Sequence, residues 1–548
     1  MKKYVFLIVA IGAYLGANAQ SAMDAFTVSQ SQLRGTARYV SMGGAFGALG
    51  GDLSTLNQNP AGLGVYRSSE FGATLDIDFH NATMNNTGSN PMTRSQTSAA
   101  CNNFGYAGSM KTGSDVMPYF AWGATYNRVM SYNRKYQGNF SSLPTSWTNY
   151  VASLTNGYSP ERLLGDDKYD PFFDSDLPWI SILAYNSFLI SPRFDGSYVG
   201  LMRNGSYGSA SIEVREQGYL DEYSINFGGN FSNMVYWGIA FGINDLSYKQ
   251  ASYYGEKIQN ALVPDVDVDN DYSSVIGDAE WGIENLQTVN GTGFNVKLGL
   301  IFKPVNEFRL GLAVHTPTWY HLTYNTNAWT DYGLGQIEDN GYYTIDSMVG
   351  DENPYATTGN GYWDMKLKSP WRLMASAAGV IGGRFIISAD YVYEAYPKMA
   401  FSDDYDELLD ISNDIKRYYQ PSNEIRLGAE FRVTPSWSVR AGYNYKSSAS
   451  KTAARNGSDY IYTTGTQSMS EFKGDRDSWS VGLGYRTGGF YIDAAFVHST
   501  QNSSWAAFSS FPERTVGGYD VVSDAFVAPR ATIKTNHNNL VVSLGIKF

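Results

Sequence analysis

The sequence predicts an all-β chain, a transmembrane antiparallel β-barrel of about fourteen strands with an N-terminal hatch filling its lumen. Two observations predict it. Segments of about eleven residues alternate between apolar and polar side chains, the period of a strand with two different surroundings. The connections between them alternate between six residues or fewer and 19 or more, as inner turns and outer loops of such a barrel do.

Composition removes the competing classes. The chain has 548 residues, 40 Lys+Arg against 52 Asp+Glu for a net charge of −12, one Cys, 56 Gly and 15% aromatic residues. One Cys excludes a disulfide scaffold, the aromatic content excludes disorder, and the acidic balance lacks the basic footprint of a nucleic-acid binder. At the N-terminus, Lys2 and Lys3 precede the apolar run Tyr4 to Gly16 and the small residues Ala17-Asn18-Ala19. That pattern reads as a signal peptide over residues 1–19, with the mature chain starting at Gln20. The apolar run is too short for a helix across roughly 30 Å of hydrocarbon.

The strands follow at 70–80, 100–110, 117–128, 219–231, 235–248, 292–303, 307–317, 369–381, 384–396, 422–433, 436–446, 477–487, 490–500 and 538–548. In the first, Phe71, Ala73, Leu75, Ile77 and Phe79 oppose Gly72, Thr74, Asp76 and Asp78. In the tenth, Ile425, Leu427, Ala429, Phe431 and Val433 oppose Glu424, Arg426, Glu430 and Arg432. Gly382-Gly383, Thr434-Pro435 and Gly488-Gly489 supply tight turns. Eleven residues at about 3.4 Å rise and 45° tilt cover roughly 26 Å, the height of a lipid-facing band. A secreted β-sandwich also alternates, but its buried face favours aliphatics. Here Trp237, Phe241, Trp371, Tyr391, Trp437, Tyr443, Trp479 and Phe496 line the apolar face, while Arg309, Asp390, Glu394, Arg440 and Asp493 fall on the other. An Arg or Lys facing lipid at mid-depth costs roughly 2–4 kcal/mol, which accounts for that segregation. The barrel spans residues 70–548, and its terminal Phe548 resembles the signal read by the barrel-insertion machinery of Gram-negative bacteria.

Residues 20–69 show no clean alternation but many small residues, as from Ser41 to Asp52, and fit a hatch packed inside the lumen. Here the chain resembles the FadL-type family of outer-membrane transporters for long-chain fatty acids and other hydrophobic molecules. The resemblance runs from Arg34-Gly35-Thr36-Ala37-Arg38 to Asn57-Gln58-Asn59-Pro60-Ala61-Gly62-Leu63. It continues through His315-Thr316-Pro317-Thr318, Ser369-Pro370-Trp371-Arg372, Ala389-Asp390-Tyr391 and Arg426-Leu427-Gly428-Ala429-Glu430-Phe431. It implies a barrel in the bacterial outer membrane, closed by a hatch whose motif is Asn59, Pro60 and Ala61. Outer loops would catch a hydrophobic ligand, and the ligand would leave sideways into the membrane by passive diffusion.

Four hatch residues, Leu33, Met42, Phe46 and Leu49, either line a ligand pocket or pack the hatch against the wall. Pro118 and Gly123 weaken the third strand and mark it as the expected lateral gate, or they are an ordinary turn proline and a small residue. In the second long loop the apolar cluster Trp179, Ile180, Ile182, Leu183, Phe188, Leu189 and Ile190 is either a capture patch or the core of a folded loop. The alternating Asp265, Asp267, Asp269 and Asp271 with Asp278 faintly resemble a calcium loop, but Tyr272 stands where its glycine belongs. The histidines His80, His315, His321, His498 and His537 have no metal-ligand spacing, so no metal and no cofactor are expected. His315 and His321 together would be the haem-ligating pair of an alternative haem receptor, and the long loops also fit an adhesive or structural surface protein. No catalytic motif is present, and the neighbours His498 and Ser499 point to opposite faces of a strand. The expected partners are the hydrophobic ligand, outer-membrane lipid, lipopolysaccharide and the insertion machinery, with no nucleic acid and a monomeric state.

Overall fold

A computed structural model describes residues 21–264, 273–337, 343–344, 355–403, 405, 407–510 and 527–548. The expected leader and the acidic residues Asp265, Asp267, Asp269 and Asp271 lie outside them. No helix among the described residues is long and apolar enough to cross a membrane.

Fourteen wall strands close into an antiparallel barrel. They are β1 (Glu70–Asn85), β2 (Met92–Lys111), β3 (Tyr119–Ser131), β4 (Tyr207–Phe231), β5 (Val235–Pro264), β6 (Ser274–Val305), β7 (Phe308–His315 and Trp319–Ile337) and β8 (Gly361–Lys368 and Arg372–Ile381). The remainder are β9 (Phe385–Glu394), β10 (Ser422–Arg432), β11 (Trp437–Lys446), β12 (Ser470–Thr487), β13 (Phe490–Ala506) and β14 (Arg530–Lys547). Closure comes from β1 against β14, in register from Glu70↔Lys547 to Asn85↔Thr532. Pro317 and Pro370 interrupt β7 and β8 at one level, between the pairs His315↔Arg372 and Trp319↔Lys368, because neither can donate to the ladder.

The burial is inverted relative to a protein that folds in water. Leu75 is 66% exposed on the outer face while its neighbour Asp76 is 1% exposed in the lumen. Phe71, Ile77, Phe79, Leu298, Leu300, Leu427 and Val481 continue the exposed apolar band. Trp371, Trp437, Tyr391, Tyr443 and Trp479 are also exposed on it. Hydrocarbon is the solvent that such a surface fits, and closure leaves no unpaired edge facing it.

Only the inner part of each strand is needed to cross that band. β4, β5 and β6 run for 25, 30 and 32 residues, so their outer halves rise beyond it and carry a folded lobe. Helix α4 (Trp147–Thr155) of the lobe starts at Ser146, whose hydroxyl accepts from Thr148 N. The buried Glu256 carboxylate on β5 accepts from Trp147 N (2.9 Å) and from the Tyr254 hydroxyl (2.8 Å), fixing the helix start to the wall. Trp147 packs on Trp281 with ring centroids 4.8 Å apart, in a core shared with Phe140, Trp505 and Phe508. Ile182, Leu183, Leu189 and Ile190 are buried in the same core, so the apolar cluster of the long loop is the inside of a folded lobe. Asp278 accepts from Asn260 N within the β5–β6 ladder.

Residues 21–69 lie inside the barrel. They form α1 (Ala22–Ser29), α2 (Ala37–Ser41), α3 (Thr55–Gln58) and a 3₁₀ turn (Pro60–Val65). Lumen charges hold them: Arg38 pairs with Glu430 (2.8 Å), which also takes Arg440 (2.7 Å), and Arg440 continues to Asp493 (2.6 Å). Gly43, in the left-handed region at φ +62°, brings the hatch backbone against Tyr443, where a Cβ would meet the Tyr443 carbonyl at 2.6 Å.

Candidate functional site

The hatch motif closes on the wall between β5 and β6. Asn59 caps the 3₁₀ turn by accepting from Ala61 N (3.1 Å) and donates to the Gly47 carbonyl (2.6 Å). Pro60 opens that turn, and Gly238 and Gly299 leave room for it: a Cβ on Gly238 would collide with the Pro60 carbonyl, and one on Gly299 with the Asn59 side chain. Asn59, Pro60 and Ala61 therefore seat the hatch on bare backbone and touch neither of the two large cavities.

Of the four apolar hatch candidates, Leu33 lines one of the two large cavities and the other three line neither. Met42, Phe46 and Leu49 are buried with Ala37, Tyr39 and Val40 against the wall residues Ala495, Val497 and Val541. The gate candidates sit in intact structure. Gly123 pairs with Ala107 on β2 and with Asn226 on β4 in uninterrupted register, and the Pro118 carbonyl accepts from Thr112 N in the inner turn.

The upper cavity, about 150 Å³, lies between α1, the outer parts of β12 and β13, and the start of the lobe. Met23, Phe26, Leu33, Met130, Met469 and Trp505 supply apolar wall. The same cavity gathers the cations Arg134, Lys473 and Arg476 with the carboxylates Glu216, Glu471 and Asp24. Arg134 is matched by Glu216 (2.7 Å) and by a second carboxylate, Glu471. Among the described residues no hydrogen bond or ion pair holds the Lys473 ammonium, while its backbone carbonyl accepts from the Ser448 hydroxyl (2.7 Å). Arg476 donates to the Ser31 carbonyl (3.0 Å), and its buried Nε has no partner. His80 is 2% exposed, stands edge-on to His537 at 4.2 Å, and neither ring nitrogen has a partner. Buried donors and cations without acceptors are costly, so a cavity that collects them beside apolar walls is matched chemically by an anionic group with an apolar body.

On the α1 side the cavity is bounded by Asp24. Its carboxylate accepts from Ser21 N (2.7 Å) and burial pushes its pKa up to about 6, against the lowering effect of the Ser21 bonds. A lower cavity of about 120 Å³ is lined by Asn57, Lys297, His315, Pro370 and Arg372 among others. Gln30, Ser31, Gln32 and Arg34 line both cavities, so this extended hatch segment is the partition between them.

The remaining sequence candidates separate. His315 bonds to the Gln58 carbonyl (2.7 Å) in the lumen, whereas His321 is exposed on the outer face, so the two do not meet at one iron. His498 bonds to Asn538 (2.7 Å) and packs on Trp479, while Ser499 donates to Ser478. Among the described residues no group of three or more His, Cys, Asp or Glu side chains is arranged to hold a metal ion. Lys473 and Arg476 were not singled out from the sequence. They stand in the polar run from Ser470, above the lipid-facing alternation, and nothing local distinguishes them from solvated loop charges.

No protein-family model matches the chain, and no curated protein matches it. Among solved structures it is similar to a FadL homologue of Pseudomonas aeruginosa, at 13% identity over 94% of this chain and 98% of that one, with a TM-score of 0.46. It is similar to the toluene transporter TodX of P. putida, at 13% identity over 94% of this chain and 99% of that one, with a TM-score of 0.46. It is also similar to the toluene transporter TbuX of Ralstonia pickettii, at 14% identity over 95% of this chain and 100% of that one, with a TM-score of 0.41.

Proposed function

We propose that this protein is a bacterial outer-membrane channel for hydrophobic small molecules that carry an anionic head, long-chain fatty acids being the default cargo. Transport is passive. The exposed apolar band supports residence in a bilayer, and the hatch supports control of the lumen. The observation that carries the choice of cargo is the group Lys473, Arg476 and His80 beside apolar walls in the upper cavity, where Arg476 Nε and both His80 ring nitrogens lack a partner. A neutral hydrocarbon such as toluene would leave the buried Arg476 and His80 nitrogens unmatched, at a cost of about 1–3 kcal/mol for each unsatisfied group. A sideways exit suits an apolar tail, because passage through water costs about 0.8 kcal/mol per exposed CH₂. Residues 20–69 act in this reading as the hatch and 70–548 as the barrel, with Phe548 offered to the insertion machinery and the outer rim facing lipopolysaccharide. No catalytic step and no cofactor enter it.

The test is binding of dodecanoate and of dodecanol to the barrel in lipid nanodiscs. Tighter binding of the carboxylate supports the proposal. Equal binding of acid and alcohol would overturn the anionic-head assignment and favour neutral cargo.

A further inference from the structure

On three neighbouring strands the outer edge of the lipid-facing band carries exposed aromatic rings: Trp319 on β7, Trp371 on β8 and Tyr391 on β9. Residues directly opposite each other in an antiparallel ladder share a face of the sheet. Lys368 pairs with Trp319 and Lys366 with His321, so all four stand on the outer face, Lys368 level with the ring. The short strand Ala400–Ser402 continues the wall beside them, through the pairs Lys368↔Ala400 and Lys366↔Ser402. A 3₁₀ turn, Tyr396–Lys398, leads into that strand. Ala395 N donates to the Trp371 carbonyl (3.0 Å) and Lys398 N to the Ala395 carbonyl (2.9 Å), which ties Lys398 to the height of Trp371. Lys368 and Lys398 are both exposed, and among the described residues no hydrogen bond or ion pair holds either ammonium.

The chain as a whole is acidic, at a net charge of −12, and this stretch of its rim is not. On the adjoining segments Asp364 is engaged by the Thr323 hydroxyl (2.5 Å), and Asp403 by the amides of Tyr405 and Glu407 (2.9 and 2.8 Å). Between β11 and β12 the rim has the opposite sign, with Asp477 accepting from the hydroxyl of the exposed Tyr443 (2.6 Å). A lysine at the edge of a bilayer lays its methylenes along the apolar wall and sets its ammonium among the lipid head groups. Two such ammonium groups, with exposed tryptophans at the same level, match a phosphate carried by a lipid.

We propose that Lys368 and Lys398, flanked by Trp319 and Trp371, bind the phosphate of a phosphorylated lipid of the outer leaflet. Its acyl chains lie on the exposed apolar wall beneath, at Leu312, Val314 and Leu373. The site is on the outside of the barrel, away from both cavities, and it holds whatever the cargo is.

The test uses the full barrel in phosphatidylcholine nanodiscs doped with bisphosphorylated lipid A, the retained lipid being counted by native mass spectrometry. One lysine beside an anionic head group is worth about fivefold in affinity. Lys368→Gln and Lys398→Gln are therefore each expected to lower lipid A retention about fivefold, and the double variant about 25-fold. Lys368→Arg is expected to keep it. Lys257→Gln, on the outer half of β5 where Lys257 pairs with Glu280, is expected to change nothing. Unchanged retention by the double variant, in a barrel whose thermal unfolding matches the native one, would overturn the site. Equal retention of lipid A stripped of its phosphates would overturn recognition by charge. Displacement of lipid A by an equal concentration of inorganic phosphate would overturn the lipid as occupant, in favour of the free ion.

Discussion

Lys473→Gln isolates head-group recognition from folding. The Lys473 ammonium makes no ion pair or hydrogen bond among the described residues and is attracted through space by Glu471 and Glu216, so its replacement breaks no direct side-chain bond, and stability is expected to change by about 1 kcal/mol or less. A bound carboxylate would instead gain a charge-assisted hydrogen bond, about 1.5–3 kcal/mol. At about 1.4 kcal/mol per tenfold, its loss weakens dodecanoate binding roughly 10- to 100-fold. Dodecanol, which offers no charge, keeps its affinity. Trp505 lines the same cavity and reports occupancy by its fluorescence, with calorimetry in nanodiscs as the second readout. If both ligands weaken together, the substitution has changed the shape of the cavity. If neither weakens, Lys473 does not meet the head group.

Other expectations separate packing from binding. Arg34→Met leaves Asp76 and Asp78 buried without their cation and is expected to destabilise the barrel by about 3–5 kcal/mol, measured by denaturant unfolding. Met42→Ala is expected to cost the hatch about 2–5 kcal/mol with dodecanoate affinity unchanged, and a drop in affinity would return Met42 to the ligand site. Gly238→Ala drives a Cβ into the Pro60 carbonyl, so the hatch should undock and become cleavable by added protease in an otherwise folded barrel. The raised pKa of Asp24 means that the docked α1 holds its proton more tightly than a free carboxyl at 3.8 does. Docking is therefore favoured most below about pH 4, loses up to about 3 kcal/mol as pH rises to about 6, and is flat above. A spin label at Met23→Cys should show α1 loosening over that window, and Asp24→Asn should abolish the dependence.

All fourteen wall strands were legible because lipid and lumen impose opposite demands on adjacent residues, as at Leu75 and Asp76. Above the band that contrast ends. The outer halves of β5 and β6 carry runs such as Ser252-Tyr253-Tyr254-Gly255 and Leu286-Gln287-Thr288, which show no lipid-facing face, so their sequence gave no reason to extend the strands. The lobe was half legible: an apolar cluster was visible, and its burial depends on Trp281 and Trp505, far away in the chain. The gate candidates sit in paired structure, Gly123 within the ladders on both sides of β3 and Pro118 in the inner turn. The one-residue register shifts at Asn102 and Val129 carry no local signature, so the sequence offered no reason to place them.

Uptake of labelled oleate by cells that express the protein, compared with cells that lack it, tests the central claim most directly, with toluene measured in parallel. The account predicts that oleate uptake requires the protein and falls in a folded Lys473→Gln variant, while toluene uptake is the same in all three. Oleate uptake unaffected by loss of the protein, or toluene uptake that depends on it, would contradict the account.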